Sequence, residues 1–191
     1  MQVIAINGSS RKNGNTDLIL KAVLDVLAEY GIAGRIIQLC DKTMHGCLAC
    51  FKCKGQARCV QNDDFNECLE AVRAADGLLL GSPVYSADVS AKMKAFCERA
   101  GVVAATNPGI FRRKIGAAVA AVRRAGGMQA VDTMNHFLLN KEFIVPGSTY
   151  WNMVYGRAVG EVLQDEEGMA NMRNLGENMA WLLKRLHGDA A

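Results

Sequence analysis

Apolar and polar positions along the chain switch repeatedly between two patterns, and the switches mark alternating strands and helices. Val3 to Ile6 form a short continuous apolar run that turns polar at Asn7, as a strand buried on both faces of a parallel sheet does. Leu20, Val23, Leu24 and Leu27 then recur at helical spacing until Gly31 closes the segment. Residues 35 to 39 predict a second strand, and Phe65, Leu69 and Val72 a second helix. Gly77 to Leu80 predict a third strand, broken by Gly81-Ser82-Pro83. Val89, Met93, Phe96 and Cys97 line a third helix, Ile115 to Val122 read as a fourth strand, and residues 128 to 139 as a fourth helix. Phe143 to Val145 supply the fifth strand and Asp165 to His187 the last helix. This alternation predicts an α/β fold, a doubly wound five-stranded parallel sheet with helices on both faces and right-handed crossovers. Ligands then belong at the carboxyl ends of the strands, which directs attention to the loops after strands one, three and four.

At 191 residues, half of them hydrophobic, the chain is expected to form a single domain. A net charge of +3 admits an anionic ligand but argues for neither nucleic acid nor membrane as a partner. The early polar turn at Asn7 predicts a cytoplasmic protein without a secretory signal. In that setting the seven cysteines point to metal, redox or core roles rather than disulfides.

The loop after strand one, Gly8-Ser-Ser-Arg-Lys-Asn-Gly-Asn-Thr16, leads straight into a helix. Gly8 and Gly14 free the backbone, Ser9, Ser10, Asn13, Asn15 and Thr16 offer short polar side chains, and Arg11 and Lys12 add charge. An anion placed there would meet unpaired N–H groups at a helix N-terminus. The loop lacks the lysine-bearing signature of nucleotide triphosphatases and the dinucleotide fingerprint, so a monophosphate such as that of FMN fits best. After strand three, Pro83 stiffens a loop in which Val84, Tyr85 and Ser86 are candidates to border a flat ring. After strand four, Gly126 and Gly127 permit close backbone approach, and Arg124 or its neighbour Arg123 is a candidate cation.

Between strand two and helix two lie Cys47, Cys50, Cys53 and Cys59, spaced C-x2-C-x2-C-x5-C within a segment expected to be an insertion at about 40–62. Four thiolates so crowded suit a cubane cluster, and Lys52, Lys54 and Arg58 would offset its negative charge. Zinc on the same four thiolates and free redox thiols are the alternatives. Cys40, Cys68 and Cys97 read as packing residues, and His45, His136 and His187 have no evident partner. The aromatic stretch Tyr150 to Tyr155 is a candidate cover for a flavin or a subunit contact.

The stretch Gly8 to Thr16 resembles the G-S-[PS]-R-x-x-G-N-T phosphate loop of the NADPH-dependent FMN reductase family. Gly81-Ser-Pro-Val-Tyr85, with Val89-Ser90 and Lys94-Ala-Phe96, resembles its flavin-ring loop, although Ala87-Asp88 stands where the family usually has Gly-Asn. The resemblance implies a flavodoxin-like strand order of 2-1-3-4-5 and non-covalent FMN. It assigns the phosphate to Ser9, Arg11, Asn15 and Thr16, and the ring to Pro83, Val84, Tyr85 and Ser86. The cysteine run within this frame is similar to that of the iron-sulfur flavoproteins. That likeness implies one [4Fe-4S] cluster on Cys47, Cys50, Cys53 and Cys59, a ferredoxin-like carrier or NAD(P)H as electron donor, and a homodimer or homotetramer. The rival functions are a clusterless NAD(P)H-dependent FMN or quinone reductase and a zinc-stabilised flavin-binding module without turnover.

Overall fold

The computed structural model describes residues 1–188. Its strands are β1 (Gln2–Asn7), β2 (Ala33–Gln38), β3 (Gly77–Pro83), β4 (Ile115–Val122) and β5 (Met153–Tyr155), all parallel in the order β2-β1-β3-β4-β5. Its helices are α1 (Asn15–Glu29), α2 (Phe65–Ala74), α3 (Ala91–Thr106), α4 (Gly127–Asn140) and α5 (Glu166–His187). The central strands alternate their side chains between two apolar layers, as the two-residue period of a strand requires. Val3, Ala5 and Leu79 face α1 and α5, while Ile4, Ile6, Leu78 and Leu80 face α2, α3 and α4. Both layers are shut off from water, which is why these strands read as unbroken apolar runs.

Two expectations about strands need correction. β3 does not break at Gly81 but continues through Ser82 and Pro83, which stay in register with Ala120 and Ala121 of β4. Pro83 is tolerated as the last residue of the strand because the ladder bypasses its missing N–H: Val84 N still donates to Ala121 O at 3.1 Å. The fifth strand is Met153–Tyr155 rather than Phe143 to Val145. Ile144 makes a single parallel bridge with Ile115 at the start of β4, after which Pro146 stops the ladder. The chain returns to pair Met153, Val154 and Tyr155 with Ala120, Ala121 and Val122 at the carboxyl end of β4. The aromatic stretch thus contributes the edge strand, and it carries the following loop over the ligand side of the sheet.

Candidate functional site

The carboxyl ends of β1, β3 and β4 open into a cavity of about 370 Å³, within the size range of small-molecule sites. Its walls bring together Ser9, Arg11, Asn15 and Thr16 from the first loop and Pro83, Val84 and Tyr85 from the third. Gly14, Ala121, Arg123, Gly156, Arg157 and Val159 complete it. Among the described residues, Arg11, Arg123 and Arg157 make no ion pair with a carboxylate, so the wall offers three cations suited to an anion.

Local chemistry explains the shape of the first loop. Ser9 N donates to Asn7 Oδ1 at 2.9 Å, and Arg11 N donates to Ser9 Oγ at 3.1 Å, which curls the chain back toward the helix start. Gly14 is the N-cap of α1 and offers no side chain, so the first-turn N–H groups remain available to a ligand. Gly8 N donates to Gly81 O at 2.8 Å, tying the first loop to β3. A Cβ at Gly8 would stand 2.9 Å from both Met93 Cβ and Ser90 Oγ, so only glycine permits this approach.

Asn15 lines the cavity, yet its amide is already engaged. Its Nδ2 donates to Ala158 O at 2.8 Å, and its Oδ1 accepts from Gly160 N at 2.8 Å. These bonds hold Gly156–Gly160 as a strap across the cavity and bring Arg157 and Val159 into its wall. The sequence reading missed this strap, because no local pattern links residues so far apart. Ser10 and Asn13 are exposed and lie outside the cavity lining, with Asn13 at φ 51° shaping the turn.

In the third loop, Tyr85 and Asp88 exchange backbone hydrogen bonds of 2.8 and 3.0 Å around Ser86 and Ala87. Those two central residues sit at φ 49° and 62°, the sign pattern of a type I′ turn, which normally favours Asn and Gly. Non-glycine residues held there store strain next to the cavity. Ser86 shapes this turn and does not reach the cavity wall. Asp88 turns away from the cavity, its Oδ1 accepting from the Thr133 hydroxyl and from Val89 N, each at 2.7 Å. Burial opposes ionisation of Asp88, but these donors outweigh it and hold the carboxyl below its usual range.

After β4, Arg123 rather than Arg124 lines the cavity. Gly126 is the left-handed N-cap of α4 at φ 85°, and a Cβ there would meet Ala87 Cα at 2.8 Å and Val84 Cγ1 at 2.9 Å. A Cβ at Gly127 would collide with Met153 of β5. The two glycines therefore let the fourth loop press against the third loop and β5, which shapes the cavity from behind.

The four cysteines of the run share a second, apolar cavity with Leu48, Phe51, Val60, Arg99, Val102 and Val103. The segment from 45 to 62 has no helix or strand; Ala49, Phe51 and Ala57 adopt φ of 50°, 53° and 48° as the backbone coils around the thiols. α3 and the residue after it hold this coil and the turn that leads into it. Lys92 Nζ donates to the carbonyls of Leu39, Cys40 and Lys42 at 2.8–2.9 Å, and Glu98 Oε2 accepts from Cys47 N at 3.1 Å. Asn107 Nδ2 donates to Cys53 O at 2.9 Å, while its Oδ1 accepts from Ala57 N at 3.0 Å. Thr106 Oγ1 lies 3.4 Å from Cys53 Sγ, and Ala49 N donates to Cys47 Sγ at 3.4 Å, contacts of the kind that tune metal-bound thiolates. Buried Arg99 also lines the cavity, and its Nε and Nη2 have no partner among the described residues. Four thiols around unused cationic donors suit an anionic metal–thiolate group. Among the described residues no three His, Cys, Asp or Glu are gathered tightly enough to hold one metal ion. All seven cysteines are free of disulfides. Of the other three, Cys68 and Cys97 are buried, and Cys40 is half-buried in the turn just after β2.

Residues 1–157 match the model of the NADPH-dependent FMN reductase family. The chain belongs to that family and is a flavin-dependent oxidoreductase for FMN, with a flavodoxin-like fold. Within the family it belongs with the iron-sulfur flavoproteins: it is 36% identical over 191 residues to one from Methanocaldococcus jannaschii, covering 96% of this chain and 98% of the other. Its fold is similar to that of RosB with bound 8-demethyl-8-formylriboflavin-5'-phosphate, at a TM-score of 0.81, 14% identity and coverage of 99% and 81%. It is likewise similar to that of a flavodoxin from the domain Archaea, at a TM-score of 0.63, 17% identity and coverage of 96% and 99%. Among the described residues no helix is long and apolar enough to cross a membrane.

Proposed function

We propose that this flavoenzyme is an electron-transfer protein in which Cys47, Cys50, Cys53 and Cys59 hold a [4Fe-4S] cluster and FMN fills the cavity above β1, β3 and β4. The observation that carries the reading is the convergence of four thiols and unused Arg99 donors on one cavity. A single zinc ion would draw its sulfurs to roughly 3.8 Å from one another, given Zn–S bonds of about 2.3 Å. A cubane instead takes one thiolate per iron, and four cysteines spaced C-x2-C-x2-C-x5-C within thirteen residues suit it better than the widely separated knuckles of a zinc ribbon.

When bound, FMN supplies hydride or single-electron chemistry at N5, and a cubane cluster supplies one-electron transfer. The chain's own residues bind and orient. The α1 N-terminus with Ser9, Thr16, Arg11 and Arg157 would hold the phosphate, Pro83, Val84 and Tyr85 would border the ring, and Arg123, just after β4, would add a cation to the same wall. Asn15 acts on the phosphate through the strap. No side chain need serve as acid or base, because the proton that flavin N5 would take up with its electrons can come from solvent.

The donor we assign is a small acidic, ferredoxin-like carrier in the cytoplasm. Residues 46–62 contain three cations, Lys52, Lys54 and Arg58, and no carboxylate, and exposed Leu48, Phe51 and Val60 surround the thiols. The whole chain acts as one domain with the cysteine segment inserted, and the exposed Tyr150 and Trp151 pack between copies in a homodimer or homotetramer. The test is anaerobic stopped-flow reduction of the flavin by a reduced ferredoxin and, separately, by NADPH. Faster reduction by ferredoxin, slowed by salt and abolished by Cys50→Ser, supports the proposal. Equal NADPH-driven reduction of Cys50→Ser and the native protein, with no reaction from ferredoxin, would replace it with a clusterless reductase.

A further inference from the structure

Arg99 lies at the middle of α3, on the same helical face as Phe96 and Val103, and is only 1% exposed. Its guanidinium stacks 4.2 Å from the centroid of Phe65. Nη1 is committed, donating to Asp63 Oδ2 at 2.5 Å and to His45 O at 3.2 Å. Nε and Nη2 are buried and unpartnered among the described residues. Leaving such charged donors dry and unused is costly, and it is rare in a folded protein. Arg99 borders the cysteine cavity and Asp63 does not, so the ion pair presents its positive end to the thiols. An arginine keeps its charge at any ordinary pH, so the guanidinium brings a fixed cation to this wall.

We propose that Arg99 is the buried counter-ion of a four-thiolate metal site, directing Nε–H and Nη2–H at the sulfur ligands. It thereby strengthens retention of the bound group and raises the potential at which that group accepts an electron. The proposal rests on the reading that Cys47, Cys50, Cys53 and Cys59 hold metal. It does not depend on which metal, since four thiolates carrying either zinc or an oxidised cubane have a net charge of about two minus. One electron taken from the reduced carrier would make a cubane site about one unit more negative, and Arg99, already charged, takes up no proton in response. A fixed cation beside the sulfurs favours that more negative state.

Three variants test this: Arg99→Lys, which keeps the charge; Arg99→Met with Asp63→Asn, which removes both charges; and Asp63→Asn alone. FMN content and thermal melting show which variants remain folded, and EPR-monitored redox titration gives the potentials. The charge-free double variant should lose at least about tenfold in its reduction constant, a fall of about 59 mV for one electron. Arg99→Lys should stay within about threefold of the native protein, and Asp63→Asn, with its cation uncompensated, should shift in the opposite direction. Equal potentials throughout, or shifts of one sign in both directions of charge, would leave Arg99 as a packing residue. Iron loss from the folded double variant but not from Arg99→Lys supports the proposal, whereas loss from both overturns a role for charge. Should the native protein take up no iron after reconstitution, the cluster reading fails on its own, and anaerobic zinc titration of the same variants decides. Zinc binding at least about tenfold weaker in the double variant than in Arg99→Lys supports the counter-ion; equal affinities refute it.

Discussion

Asn15→Ala should loosen the strap that closes the FMN cavity. The side chain contributes two hydrogen bonds of 2.8 Å, one to Ala158 O and one from Gly160 N, and alanine replaces neither. Each bond contributes about 0.5–1.5 kcal/mol net, so the strap should open more easily by about 1–3 kcal/mol, or roughly 5- to 150-fold. The direct assay is native-state hydrogen exchange on the flavin-free protein, in which the Gly160 amide should exchange faster by that factor while β1 and β3 amides stay unchanged. FMN affinity should fall by no more than the same factor, because binding suffers only to the extent that the strap stands open before the ligand arrives. Riboflavin affinity should fall alongside it, since Val159 and the backbone of the strap wall the cavity for either ligand. A loss confined to FMN, with Gly160 exchange unchanged, would refute the strap and return Asn15 to direct phosphate binding.

Arg11→Gln should behave in the opposite way, weakening FMN by about 10- to 100-fold through loss of a charge-assisted contact while sparing riboflavin; fluorescence titration with both ligands checks it. Gly126→Ala should destabilise the fold by at least about 1–2 kcal/mol, the cost of a left-handed backbone for a residue with a Cβ, plus the contacts with Ala87 and Val84; urea unfolding measures it. Cys97 and Cys68 give a pH signature. Burial pushes their thiols up to about 12 and about 11 respectively, whereas in the unfolded chain thiols ionise near about 8.5. Their contribution to stability is therefore complete below the unfolded value and is lost as pH rises toward the folded ones, by up to about 1.4 kcal/mol per pH unit for each thiol. Cys97→Ala should flatten the alkaline fall in urea midpoints, and identical slopes in the two proteins would refute this.

The sheet and its helices were legible because burial on both faces leaves long apolar runs and helical stripes that few other folds produce. The fifth strand was not. Phe143–Val145 and Met153–Tyr155 are equally short, and β4 is long enough to pair with the first through Ile144 and with the second through all three residues. Only the position of Pro146 hints that the first pairing stops at once. Within the site, the loops after β1 and β3 declared themselves through glycine, proline and short polar residues. Arg157 and Val159 gave no such sign, since they reach the cavity only through the remote amide of Asn15. Arg99 did leave one: it falls three residues after Phe96 and four before Val103, on the apolar stripe of α3, where a solvated arginine does not belong.

The cysteine site is tested most directly by anaerobic purification with iron, acid-labile sulfide and zinc counted per FMN on one sample. About four irons and four sulfides per FMN, with zinc near zero, are expected of a single cubane on Cys47, Cys50, Cys53 and Cys59. FMN without iron after anaerobic reconstitution, or about one zinc in its place, would contradict it.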